Sequence, residues 1–234
     1  MSTNPQPVTF AVDDGQHVSA LLQMPSTPPR ACYVMAHGAG AGMAHPFMVS
    51  VAGQLADRGI ATFRYQFPYM ERASRRPDPP RVAKAAVRAA VAAAARLVPE
   101  LPLYAGGKSF GGRMTSQAQA AKPLPGVRGL VFLGFPLHPP GQPSETRGEH
   151  LADVTIPMLF FQGSRDKFAD FALLQKLAAR LGSRATFWMF DDADHSFHVP
   201  ARSGHTDAEV REAMAGALAD WIDKTNEPRA LETA

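Results

Sequence analysis

Cysteine is almost missing from this chain of 234 residues. Cys32 is the only one, so no internal disulfide can form and a disulfide-stapled secreted framework is excluded. A lone thiol in the apolar run ACYVMA reads as a core residue and fits a reducing compartment. The opening segment MSTNPQPVTF lacks a basic start followed by an apolar run, and no stretch has the length and apolarity of a membrane span. A soluble cytoplasmic protein with no membrane partner is therefore expected. Charge of one sign is also lacking, since the formal balance is only +3. That balance does not point to nucleic acid, and the basic cluster Arg72, Arg75 and Arg76 has no interleaved aromatic platform on which bases would stack. It reads as a solvated rim. There is no internal repeat and no sign of a second domain. With 45% hydrophobic and 19% charged residues, the expectation is one domain over 1–234 with its own core, residues 225–234 forming a frayed tail.

What is present alternates. Thr9 to Val12 and Val18 to Met24 are β-leaning runs around a hairpin signal at Asp13 to Gln16. Ala31 to Ala36 is a continuous apolar run suited to a strand buried on both faces, and it ends in the glycine-rich HGAG. Pro46 to Arg58 has helical spacing and stops at Gly59; Ile60 to Tyr65 is the next strand. Pro68 to Pro80 reads as an irregular surface loop. Alanine-rich Arg81 to Val98 is a helix by propensity. Val127 to Gly134 and Pro157 to Gln162 are further buried strands, separated by the proline-rich segment Pro136 to Asp153. Phe168 to Leu181, Ala185 to Phe190 and Asp207 to Lys224 then read as helix, strand and helix. An antiparallel start followed by βα units implies an α/β fold, a mostly parallel sheet with helices on both faces. Sites in such sheets lie at the carboxyl ends of strands. HGAG, GKSFG, GSRD and DDADHSFH all fall there. The segment after the sixth strand is too short for a large lid.

The stretch Leu101 to Met114, LPLYAGGKSFGGRM, is where these loops should converge. Gly107, Ser109 and Gly111 form G-x-S-x-G, whose sharp strand-to-helix turn exposes the serine Oγ and leaves no room for side chains two residues to either side. GGKS also resembles the end of a phosphate-binding loop, but that motif needs a glycine where this chain has Pro102. A serine nucleophile requires a base within hydrogen-bond reach and a carboxylate to orient that base. Ser109, Asp166 and His195 supply them in the order nucleophile, acid, histidine, each in a loop after a predicted strand. The backbone N–H of Phe110 and one from HGAG, Ala39, would hold the oxyanion.

With these motifs in view, the chain resembles the α/β-hydrolase fold over nearly its whole length. FRYQFPYME, GGKSFGGRM, GFPLHPPG and DADHSF are similar to a small lidless bacterial group akin to dienelactone hydrolases. That group is related to testis-expressed hydrolase-like proteins and to the hydrolase-like domain of a non-specific lethal complex subunit. The resemblance implies a serine hydrolase that opens a carboxylic ester or related acyl compound through an acyl-enzyme, without metal or organic cofactor. Dienelactone hydrolases themselves use cysteine as nucleophile, so their substrate does not carry over to Ser109. Some relatives act as protein-interaction modules, which is the rival reading; thioester hydrolysis, amide hydrolysis and acyl transfer also stay open, as does the oligomeric state.

Other residues have weaker claims. His37 reads as a brace for the HGAG loop, and His138 as a solvated loop histidine, with a place overlooking the site as the alternative. His198, three residues after His195 and near Asp191, Asp192 and Asp194, invites a metal reading, but His195 already has another task. Met43, Phe67, Tyr69 and Met70 are candidates to line an acyl pocket, with core packing as the alternative, and Lys108 would meet an acidic substrate group or point to solvent.

Overall fold

The computed structural model describes residues 4–12 and 15–226. Eight strands form one sheet in the order β1-β2-β4-β3-β5-β6-β7-β8. Strands β1 (Gln6–Ala11) and β2 (His17–Gln23) make the antiparallel hairpin, and β2 also pairs antiparallel with β4 (Ile60–Tyr65). From β4 onward all pairing is parallel, through β3 (Ala31–Ala36), β5 (Leu103–Lys108), β6 (Val127–Leu133), β7 (Met158–Gly163) and β8 (Ala185–Phe190). Of the hairpin turn, Asp13 and Asp14 lie outside the described residues; Val12 N–H closes it onto the Gln16 carbonyl at 2.6 Å.

Alternation along β3 shows how the central strands serve two cores. Cys32, Val34 and Ala36 pack toward one face with the apolar sides of α3 (Pro80–Leu97), α4 (Phe110–Ala121) and α5 (Phe171–Leu181). Ala31, Tyr33 and Met35 pack toward the other, against α1 (Pro46–Ala56) and α6 (Asp207–Asn226). Period-two side chains on a strand covered from both sides are largely apolar at every position, and β3, β4 and β7 are buried throughout, with Thr62, Arg64 and Gln162 as buried polar exceptions. Cys32 lies in this core with its thiol pushed up to about 12 by burial.

Three differences from the sequence expectation have local causes. Pro68 begins a short helix, α2 (Pro68–Glu71), because proline at the first helical position gives up only an N–H that would be unbonded anyway. Helix α5 starts at Phe171 and not at Phe168: the Asp170 carboxylate caps it by accepting from Leu173 N–H at 3.2 Å. Helix α6 runs through Thr225 and Asn226, which are anchored to the buried Tyr104 hydroxyl at 2.6 and 2.9 Å. Of the expected tail, residues 227–234 lie outside the described residues. The proline-rich segment before β7 contains a 3-10 helix, Thr146–Asp153, and no inserted lid domain. Among the described residues, no helix is long and apolar enough to cross a membrane.

Candidate active site

The carboxyl ends of β3, β5, β7 and β8 bring their four loops together. At the end of β5, Ser109 adopts φ 48° and ψ −114°, a conformation disfavoured for a residue with a side chain. The flanking glycines make it possible. A Cβ on Gly107 would come within 2.0 Å of the Ala36 carbonyl oxygen, and one on Gly111 within 2.5 Å of the His37 carbonyl oxygen. Ser109 occupies the N-cap of α4, yet its hydroxyl makes no capping bond. It faces His195 Nε2 at 2.8 Å.

His195 Nδ1 lies 2.7 Å from Asp166 Oδ2, whose side chain has no exposure to solvent. An ionised carboxylate only accepts, so the Nδ1 proton points at Asp166 and Nε2 is left free to accept from Ser109. Asp166 is itself held by Gln162 Nε2 at 2.5 Å and by the Phe168 N–H at 2.8 Å. Gln162 is buried, and its Oε1 accepts from Phe135 N–H at 3.0 Å, locking the loop after β6 to the acid. The sequence reading passed over Gln162; a polar residue closing the otherwise apolar PMLFFQ was the available signal. Burial lowers the His195 pKa, the Asp166 hydrogen bond works against that fall, and the neighbouring Lys108 ammonium adds to it.

The Asp191 to His198 loop does not fold its own carboxylates onto the imidazole. Asp194 accepts from Ser196 N–H and His198 N–H at 2.7 and 3.0 Å, closing a tight turn that presents His195. His198 turns away to Asp207 at 3.0 Å, a contact that raises its pKa. Among the described residues, no three His, Cys, Asp or Glu side chains are grouped as a metal site would need.

The loop after β3 is braced from below. His37 is fully buried, its Nδ1 donates to the Gly38 carbonyl at 2.8 Å and its Nε2 accepts from Phe67 N–H at 3.1 Å. Gln66 accepts from Met43 N–H at 3.0 Å and Arg64 donates to the Met43 carbonyl at 3.1 Å, so the far end of the loop is also tied to β4. His37 must be neutral to make both bonds, and burial pushes its pKa down to about 4. A histidine depressed in the fold takes up its proton more readily when unfolded. Its stabilising contribution is therefore present above the ordinary value and is lost as pH falls from about 6.5 toward 4. That fall corresponds to about 3 kcal/mol. His150, pushed to about 4 by burial and by Arg113, adds to the same slope. Urea unfolding between pH 7 and 4 is expected to show stability falling steeply, and His37→Gln to be less stable at pH 7 with a shallower slope. An unchanged slope in His37→Gln would refute this account of His37.

A cavity of about 410 Å³ opens beside Ser109 and His195, lined among others by Ala39, His45, Phe47, Met48, Lys108 and Phe168. Ala39 thus stands on the cavity wall, and Phe110 is the first residue of α4, directly after Ser109. Phe67 and Tyr69 are fully buried and pack around His37 and Phe110, apart from the cavity. Met43 contributes its backbone to the braced loop, and Met70 lines a neighbouring depression with Gly40, Ala73, Ser74 and Arg75. His138 is buried and not solvated: its Nε2 accepts from Asp170 N–H at 2.9 Å, fixing the segment that follows Asp166. Phe47 and Phe168, which do line the cavity, escaped the sequence reading because in a linear pattern they look like ordinary core positions.

Known structures share this fold. An alpha-beta serine hydrolase homologue from Coxiella burnetii superposes with a TM-score of 0.75 at 17% identity, over 92% of this chain and 98% of that one. A dienelactone hydrolase from Anabaena variabilis gives 0.74 at 19% identity, over 95% and 99%. A serine hydrolase without lid from Xanthomonas campestris gives 0.73 at 20% identity, over 94% and 95%. At such identities the likeness is one of fold. The model of the alpha/beta hydrolase domain family matches residues 29–223, and the chain belongs to that family.

Proposed function

We propose that this protein is a serine hydrolase that cleaves a carboxylic ester or related acyl compound through an acyl-enzyme on Ser109. The observation that carries the reading is the unbroken line of hydrogen bonds from Ser109 Oγ through His195 to Asp166, at 2.8 and 2.7 Å. In this reading His195 takes the Ser109 proton as Oγ attacks the acyl carbon, then returns it to the leaving alcohol. Asp166 holds the imidazole in the reactive tautomer and balances the charge of the imidazolium. The N–H groups of Ala39 and Phe110 receive the oxyanion, with the positive end of α4 behind the second of them. Water activated by the same histidine then releases the acid.

The cavity favours small or exposed esters. It is about 410 Å³ with no lid domain above it, and Phe47 and Phe168 give it aromatic walls suited to a short acyl chain or a ring. Every step uses side chains and backbone of the chain itself, so no metal, nucleotide or organic cofactor is needed. A panel of 4-nitrophenyl and phenyl esters tests the reading: acetate and butyrate are expected to turn over, long acyl chains poorly, and exhaustive EDTA dialysis to leave the rates unchanged. Absence of turnover across the panel, or a loss restored by zinc, would contradict it.

A further inference from the structure

We propose that Lys108 is a positioning residue for the Ser109–His195 pair, its ammonium tying the backbone of the histidine loop to the strand that carries the nucleophile. The inference rests on the hydrolase reading above. Lys108 precedes Ser109, and its Nζ donates to the main-chain carbonyl of His195 at 2.5 Å. It points neither to solvent nor, with that bond made, freely into the cavity. Its stem runs past Gly38, whose added Cβ would lie 3.5 Å from Lys108 Cγ, and its head lies against Gly134, whose added Cβ would lie 3.1 Å from Nζ. The ring of Phe197 covers the ammonium at 5.3 Å and that of Phe47 at 6.0 Å. The ammonium is thus enclosed by aromatic faces and a glycine, with one carbonyl to receive it.

The consequence is geometric. Asp166 fixes the imidazole by its ring nitrogen, but a ring held at one edge still swings if its backbone moves. Lys108 supplies the second point of attachment, from the strand whose next residue is Ser109, so the Oγ to Nε2 distance is set between neighbours on one rigid element. The charge matters as well. The ionisable groups around the imidazole are Asp166 from the loop after β7, Asp194 from its own loop and Lys108 from β5, with His45 on the opposite cavity wall. Lys108 brings the positive charge to this group, and when protonated it disfavours the imidazolium. Burial brings Lys108 itself down to about 8, while Asp166 and Asp194 support its charge.

Lys108→Met keeps the stem and removes the ammonium. It is expected to lower kcat by roughly ten- to a hundredfold with KM within about twofold, and to move the acid limb of the kcat/KM profile to higher pH. Lys108→Cys followed by 2-bromoethylamine restores an ammonium of nearly the same reach: the thiolate displaces bromide, forming a thioether. Cys32 is fully buried with its thiol raised to about 12, so the introduced thiol is the one that reacts. Aminoethylation should restore most of the lost kcat and return the acid limb; the neutral adduct from iodoacetamide should do neither. A purely space-filling lysine would lose kcat without moving the limb and would be rescued equally by both reagents, and that result overturns the proposal, as does wild-type behaviour of Lys108→Met. If the wild type hydrolyses no ester, the hydrolase reading fails by itself. NMR titration of the His195 ring in wild type and Lys108→Met then decides: a higher midpoint in the variant supports the tie, and an identical one refutes it.

Discussion

Ser109→Ala is expected to lower kcat on any small aryl ester by three or more orders of magnitude while leaving the folded protein and its cavity unchanged. The Ser109 hydroxyl makes no capping bond to α4 and its one polar partner is His195. Removing it therefore leaves no buried donor stranded, and alanine suits the start of the helix no worse. A methyl group at this position cannot form the acyl-enzyme, so the remaining rate is what the oxyanion donors and bound geometry give a direct attack by water. Circular dichroism and urea unfolding should match wild type to within about 1 kcal/mol. Retention of more than a tenth of the wild-type kcat would place the chemistry elsewhere.

Asp166→Asn carries the second large effect, a fall in kcat of roughly three to four orders of magnitude near neutral pH. The geometry explains why an isosteric amide is so poor a substitute. Oδ2 receives both His195 and Gln162, and Oδ1 receives the Phe168 N–H. If the amide nitrogen takes the Oδ2 place, it confronts two donors, and the imidazole escapes by moving its proton to Nε2, where it can no longer accept from Ser109. If it takes the Oδ1 place, it meets the Phe168 N–H donor head on. Either way a hydrogen bond is lost in a buried setting, so a stability loss of about 1–3 kcal/mol accompanies the kinetic one. Asp170→Asn and Asp192→Asn are the controls. Asp170 caps α5 and faces Leu173 N–H, so its replacement should cost little in stability and nothing in kcat. If Asp166→Asn turns over near the wild-type rate while either control is crippled, the acid is misassigned.

How much of this was legible beforehand follows from the range of each interaction. The G-x-S-x-G turn announces itself because its constraint is local: two glycines are required by backbone atoms one strand away, whatever else the fold does. The βα rhythm, the hairpin and the absence of a lid follow from apolar runs and punctuation, and the sheet order agrees with them. Ser109, Asp166 and His195 come together because each stands at a strand's carboxyl end, and topology alone brings those ends to one edge. What was not legible depends on the paths of loops. Phe67 and Tyr69 sit beside Met70 in sequence, yet Pro68 starts α2 and rotates both rings into the core around His37. Gln162 reads as the end of a strand, and only the folded loops reveal that it links Asp166 to Phe135. The inward turn of Lys108 is of the same kind, since no pattern distinguishes a lysine that reaches a distant carbonyl from one that reaches water.

The measurement that bears most directly on the central claim is to treat the protein with a fluorophosphonate and map the adduct by peptide mass spectrometry. The account predicts one adduct per chain, on Ser109 Oγ, formed rapidly in wild type, far more slowly in Asp166→Asn, and not at all in Ser109→Ala. An unlabelled wild type, or an adduct on any other residue that persists in Ser109→Ala, would contradict it.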